Sequence, residues 1–333
     1  MNIREIAKDA GVSIATVSRV INGKTDVSPE TREKVLKIIR EKDFRPKTNT
    51  LSISDNIGIF LGNSKTEISN PYSSIVLSGI ANAIFNRDYI LNLIPSLKIS
   101  KDGIDFFNFC NMKNICGGIF ISTSQDDIYI KELAKHVPIV IVGNDFMDSE
   151  EVGSVRSDNF AGAYEATKQL IKMGHKNIVL VMADLIYLDH KERYEGAKKA
   201  LEEEGLEMSS YNIMDSYFFN DTDLYYKLDF IVKNAKPDAF FVAGDQEAIR
   251  VMRVLQGMGI KIPEDISIMG YDNLQLAASS NPPLTTVNQP VYDIGREAGK
   301  LLLNMVSDKE YKPRKILLQT NYLMMRESVK QRT

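Results

Sequence analysis

The chain has 333 residues, of which 44% are apolar and 26% charged, with a formal net charge of −3. That length exceeds one ordinary domain and can bury sizeable cores, which excludes a disordered or fibrous polypeptide. Its two cysteines make no disulfide framework, no signal peptide is recognisable, and no apolar run approaches the ~18 residues of a membrane helix. The expectation is therefore a cytoplasmic protein with Cys110 and Cys116 as core filler. The charge is unevenly spread. Residues 1–50 hold eleven Lys/Arg against seven Asp/Glu, a net of +4, so the remainder carries −7. A basic head on an acidic body suits a molecule that touches phosphates at one end only.

In chain order, Ile3, Ile6, Ala7 and Ala10 recur at helical spacing, and Asn2 with Glu5 can close a capping box in front of them. Gly11 breaks this helix and Val12 plugs the turn. Ser13 caps a second helix whose inward face is Val17, Val20 and Ile21. That leaves Ala15, Ser18, Arg19 and Asn22 outward, with Ile14 and Thr16 beside them. Helix, glycine turn, helix is the helix-turn-helix unit, which reads the DNA major groove with the start of its second helix. Gly23–Val27 reads as a loop. Ser28-Pro29-Glu30 then starts a third helix, with Val35, Ile38 and Ile39 on its buried face. The headpiece ends near Phe44-Arg45-Pro46.

Several blocks in this stretch, Ile6-Ala7, Ala10-Gly11-Val12-Ser13, Thr16-Val17-Ser18-Arg19-Val20, Asn22, Val27-Ser28, Thr31-Arg32 and Val35, carry a specific likeness. The pattern resembles the headpiece of the lactose-repressor/galactose-repressor (LacI/GalR) family of bacterial transcription regulators. In that family a hinge helix follows, with a leucine wedged into the minor groove. Here Lys47–Asn56 lacks the usual Ala-Arg and is short, and Leu51 is the candidate wedge.

From Ile57 the texture changes. Apolar runs at Ile57–Leu61, Tyr89–Ile94, Gly117–Ile121 and Ile139–Val142 read as buried parallel strands. Amphipathic stretches near Tyr72–Phe85, Ile104–Met112 and Ile128–Lys135 lie between them. A second series has strands at Ile178–Met182, Ile213–Tyr217, Ala239–Val242 and Ile266–Met269. Its helices lie near Asn159–Met173, Lys191–Glu204, Leu224–Ala235 and Asp245–Met258. Two such series predict two doubly wound α/β lobes with a ligand at the strand carboxyl ends.

The resemblance continues through Asn70-Pro71-Tyr72, Gly117-Gly118-Ile119, Asp158-Asn159, Gly174-His175-Lys176, Arg193 with Gly196, Gly270-Tyr271-Asp272, Pro282-Pro283-Leu284-Thr285-Thr286-Val287, Gln289 and Arg326-Glu327-Ser328. It implies an all-α helix-turn-helix headpiece (1–46), a short linker (47–56) and a two-lobed core (57–333) like a type I periplasmic binding protein. By analogy, lobe one is about 57–157 and 288–318, and lobe two about 158–287 and 319–330.

The implied function is sequence-specific repression of carbohydrate genes by a homodimer on double-stranded operator DNA, under a sugar or sugar-phosphate effector. A non-sugar ligand, a protein co-regulator or a sugar-transport role are the alternatives. Ser13, Ile14, Ala15, Thr16, Ser18, Arg19, Asn22 and Leu51 are the DNA-contact candidates. For the effector the candidates are Tyr72, Arg193, Asp245, Asp272 and Gln289. Arg193 offers a planar guanidinium fork and Asp272 paired acceptors, the geometry that holds adjacent hydroxyls. With no Trp, ring stacking would fall to Tyr72, Phe146 or Tyr187. Gly244 replaces the family's effector-binding Asn, and Gly143-Asn144 its common Asp-Arg pair, so the effector's hydroxyl pattern should differ.

No enzyme signature stands beside this. His136, His175 and His190 lack metal-ligand spacing, no phosphate-binding glycine loop joins a strand to a helix, and no nucleophile elbow occurs. Neither metal nor cofactor is expected.

Overall fold

The structure is a computed structural model. It describes residues 2–21, 27–42, 55–62, 70–85, 87–95, 109–110, 113–124, 126–127, 129–146, 148–214, 219–308, 310–319 and 322–332. Asn22, Leu51 and the question of a hinge helix fall outside these residues.

The headpiece forms as its local chemistry dictates. In α1 (Ile3–Ala10) the Asn2 side chain accepts from the backbone of Arg4 and Glu5 at 3.0 and 3.2 Å, and Glu5 accepts from the Asn2 N–H at 3.3 Å. Gly11 closes the helix at φ 66°, a left-handed cap that costs glycine little. Ser13 Oγ accepts from Thr16 N–H at 3.0 Å to start α2 (Ile14–Ile21), and Ser28 does the same for Thr31 at 3.3 Å ahead of α3 (Pro29–Glu41). Ile6, Ala7, Ala10, Val17, Val20, Val35 and Ile39 are all buried in one cluster between the three helices.

The core holds two sheets. The first has six parallel strands in the order β2 (Tyr89–Pro95), β1 (Asp55–Leu61), β3 (Ile115–Ile121), β4 (Ile139–Val142), β5 (Val152–Ser157) and β10 (Lys315–Leu318). One face carries α4 (Pro71–Ile84) and α11 (Val291–Ser307); the other carries a cluster of Phe60, Phe120 and Phe146 with α5 (Tyr129–Ala134).

The second sheet runs β6 (Ile178–Val181), β7 (Ala239–Val242), β8 (Ser267–Asp272), β9 (Thr285–Asn288) and a short antiparallel β11 (Leu323–Met324). α6 (Asn159–Lys172) and α7 (Leu188–Glu203) cover one face. α8 (Asp221–Ala235), α9 (Asp245–Gly257) and the short α10 (Gln275–Ser279) cover the other. Burial on both faces is why these strands read as unbroken apolar runs.

The sheets correct several expectations. Of the strand expected at Ile213–Tyr217, only Ile213 and Met214 are described, and Ile213 forms a parallel bridge to Val181 at the edge beside β6. β1 begins at Asp55, so the expected linker overlaps the first strand by Asp55 and Asn56. Of the helix expected over Ile104–Met112, only residues 109–110 are described, as helix. β5, β9, β10 and α11 stand outside the expected elements, although Val291, Ile294, Ala298, Leu301, Leu302 and Met305 give α11 a buried face at helical spacing. The chain passes between the sheets after β5, after β9 and between β10 and β11.

Candidate DNA-reading helix and effector site

Because Val17 and Val20 point into the headpiece, the register of α2 turns its other residues outward. Ser13, Ala15 and Arg19 are exposed, Ile14 is 46% exposed, and Thr16 and Ser18 are half-buried. The start of α2 thus presents two apolar side chains and a hydroxyl pair, Ser13 Oγ and Thr16 Oγ1 being 2.9 Å apart. Arg19 follows one turn on.

The effector candidates meet at the carboxyl ends of the sheets. Gly196 brings α7 onto α6 so closely that a Cβ there would lie 2.2 Å from the Phe160 carbonyl oxygen. That approach delivers Arg193, in the second turn of α7, under the end of β7. Its Nε donates to Asn159 Oδ1 at 2.9 Å, its Nη1 to the Ala243 carbonyl at 2.6 Å, and its Nη2 lies 3.6 Å from Asp272 Oδ1. The guanidinium lies 3.9 Å over the Tyr271 ring, a cation–π seat.

Asp272 ends β8 at φ 111°, a conformation rare outside glycine, and Asn273 follows at φ 54°. Asn288 and Arg326 hold that turn through the Asn273 side chain, both at 2.7 Å. Register pairs Asp272 with Asn288, which brings Gln289 alongside. With its amide nitrogen toward Asp272, Gln289 donates to Oδ1 at 2.9 Å and accepts from Arg193 Nη2 at 3.3 Å and from Ser157 Oγ. Across from the fork stands Tyr72, whose phenol oxygen lies 3.9 Å from where a Gly143 Cβ would be.

The electrostatics follow from burial. Desolvation raises the Tyr72 phenol well above its ordinary value, and Asp189 and Asp272 raise it further, so it is a neutral donor at any physiological pH. Desolvation also raises Asp272, with Arg193 pulling the other way. Burial pushes His190 down to about 4; the neutral ring accepts from the Ala183 N–H at 3.2 Å through Nδ1, which leaves the proton on Nε2.

Some expected roles shift. Asp245 is fully buried behind the fork, accepting from Thr286 Oγ1 at 2.5 Å and from Leu274 N–H at 2.7 Å, so both its oxygens are engaged by the protein. Phe146 is 1% exposed inside the first lobe's core and presents no stacking face. Tyr187 precedes α7 and is half-buried. His175 lies in the loop after α6, wholly buried, with its ring nitrogens 2.9 and 2.8 Å from Leu170 O and Ser267 Oγ. Arg193 lies in the helix expected near Lys191–Glu204 and reaches the carboxyl end of β7 from it. Sequence reasoning missed Asn159, Ser157, Tyr271 and Asp189 as members of the site. Asp189 was within reach, lying one helical turn before Arg193 on the same face. Among the described residues, no group of three or more His, Cys, Asp or Glu is placed to hold a metal ion, and no helix is long and apolar enough to cross a membrane.

Comparison with known proteins places these features. Residues 2–47 match the model for bacterial regulatory proteins of the lacI family, and residues 167–329 match that for a periplasmic binding protein-like domain. Catabolite control protein A of Priestia megaterium is 31% identical over 331 residues, 99% of each chain. The HTH-type transcriptional repressor PurR of Vibrio vulnificus (strain CMCP6) is 31% identical over 329 residues, 98% of each chain. Among solved structures, a complex of the transcriptional regulator CelR with cellobiose has a TM-score of 0.73 and 29% identity, covering 98% of this chain and 99% of that one.

Proposed function

This chain belongs to the LacI family of bacterial regulatory proteins, and from that premise we propose that a small hydroxylated effector, bound between its two lobes, sets its hold on operator DNA. It is a DNA-binding transcriptional regulator and not an enzyme. The headpiece, taken to end near residue 46, reads an operator through Ile14, Ala15, Ser18 and Arg19. Ser13 and Thr16 seat the helix on phosphate. The chain acts as a homodimer, because one small recognition helix makes too few contacts for useful specificity. It works as a repressor in the cytoplasm, on genes of carbohydrate use.

The observation that carries the effector assignment is the Arg193–Asp272 pair, joined by Gln289 and faced by the neutral Tyr72 phenol. A fork, a carboxylate, an amide and a phenol suit adjacent hydroxyls on a ring, and the cellobiose held by CelR is a precedent. Asp245, by contrast, holds the end of β8 and does not meet the ligand. An effector can move the DNA equilibrium only by binding one lobe arrangement better than the other.

Titration of the full chain with D-glucose, D-ribose and cellobiose, for wild type and Asp272→Ala, tests the assignment. Loss of one partner of a buried charge-assisted hydrogen bond costs about 1.5–3 kcal/mol, some ten- to a hundredfold in affinity, and operator binding without sugar should be unchanged. Equal sugar affinity in both proteins would move the effector site elsewhere.

A further inference from the structure

A line of alternating charges runs beside the fork and is no part of it. Lys315, the first residue of β10, donates to Asp145 and, at 2.7 Å, to the Phe146 carbonyl. Asp145 has a 3% exposed side chain and lies 3.9 Å from Arg156 Nε. Arg156 Nη1 in turn donates to both carboxylate oxygens of Glu192, at 2.8 and 2.9 Å. Lys315, Asp145 and Arg156 belong to the six-stranded sheet and its loops, whereas Glu192 is on α7, packed on the other sheet. The last link therefore spans the lobes.

Its position matters more than its strength. Arg156 immediately precedes the first passage between sheets, Ser157–Asn159, and Lys315 opens the strand that leads into the third. Glu192 is the residue before Arg193. Arg193 is itself tied to the first two passages, through Asn159 at Nε and Gln289 at Nη2. With side chains only 18% and 19% exposed, the Arg156–Glu192 pair is screened less than a surface pair, and removing one partner strands the other in little water.

We propose that the Arg156–Glu192 pair is a positioning latch for the effector site. It fixes the first turns of α7 against the first passage between lobes and so presets the Arg193 fork, while Asp145 and Lys315 anchor the latch to the strand before the third passage. Glu192 acts through Arg193 and touches no ligand. This rests on the reading of Arg193 as an effector contact.

The test uses the full chain as wild type, Glu192→Gln, Arg156→Gln, the double variant, and Arg156→Lys, which keeps the charge. Two readouts are taken: backbone hydrogen exchange, and calorimetric titration with D-glucose, D-ribose and cellobiose. Each Gln variant should exchange about tenfold faster at 157–160 and 188–193, with 196–203 and the headpiece unchanged. The sugar that binds wild type should bind each single variant about tenfold more weakly, and the double variant no more weakly than the worse single, because the two residues form one unit. Arg156→Lys should recover most of both. Unchanged exchange at both segments, uniform acceleration over all of α7, or additive losses in the double variant would overturn the latch. If no sugar binds wild type, the hydroxylated-effector reading fails, and local exchange alone decides the latch.

Discussion

The two candidate sites of this protein are built on opposite principles. The candidate reading face of α2 consists of exposed and half-buried side chains from one contiguous stretch, and its register is fixed by Val17 and Val20 a few residues away. The candidate effector site around Arg193 is largely buried, and its members come from α7, the ends of β5, β7 and β8, the turn after β9 and the start of α4. DNA is long and offers many contacts, so an open local face suffices. A small ligand must be surrounded, and only distant segments brought together can surround it. The headpiece should therefore fail locally when altered, and the fork should fail through the packing that assembles it.

Ile6→Ala attacks the local side of this contrast. Ile6 is fully buried in a headpiece core of few residues, so its truncation should cost about 2–5 kcal/mol of headpiece stability. Operator binding should vanish in a gel shift while the melting of the core and sugar binding stay as they were. Loss of the core transition as well would deny the independence of the two units.

Gly196→Ala attacks the assembled side. The added methyl would meet the Phe160 carbonyl at 2.2 Å, which must push α7 off α6, at a cost of about 1–3 kcal/mol. A lower melting temperature with sugar binding lost and sequence-specific DNA binding retained is expected. Retained sugar affinity would show that the fork tolerates a displaced α7.

Arg19→Ala should cost about 1–3 kcal/mol on the preferred operator and relax preference at one base pair in a selected-site profile. Equal weakening on operator and random DNA would make Arg19 a phosphate contact only.

The smallest effect is one of pH. Burial holds the Asp245 carboxyl well above the usual carboxylate range, against the pull of Thr286 and Leu274. The folded state then keeps a proton that the unfolded chain releases, so this group makes stability fall as pH rises from about 4 toward neutrality. His190, pushed down to about 4, acts in the opposite sense, adding stability as pH rises toward its unfolded value of 6.5. The two partly offset each other in wild type. Asp245→Asn removes only the first, so its melting temperature should start lower, for want of one acceptor, and climb more steeply between about pH 4 and 6.5. Parallel curves would show that Asp245 does not titrate there.

The legibility of the chain divides along the same line. Capping boxes, a glycine stop and the i, i+3, i+4 stripes of the headpiece act within four residues, so Asn2, Gly11, Ser13 and Ser28 announce their roles in sequence. β4, β6 and β7 are buried on every residue and announce themselves as apolar runs. β5, with Ser154, Arg156 and Ser157, does not, because its end forms a passage between lobes and carries polar side chains for the fork and the latch. Arg193, Asp272, Gln289 and Tyr72 could be named only from the family pattern, and nothing in the chain's spacing places them near one another.

Sequence alone thus determined the headpiece, the alternating strands and helices, and the residue types fit for hydroxyl recognition, since these depend on short-range periodicity and intrinsic chemistry. Tertiary structure alone decided that Asp245 stands behind the fork, that Phe146 is core, and that His175 is a brace. It alone seats Arg193 on Tyr271 and couples it to Asn159 and Gln289. Those outcomes depend on strand register, on the glycine-close packing of α6 and α7, and on the strained turn at Asp272, which join residues up to more than a hundred positions apart.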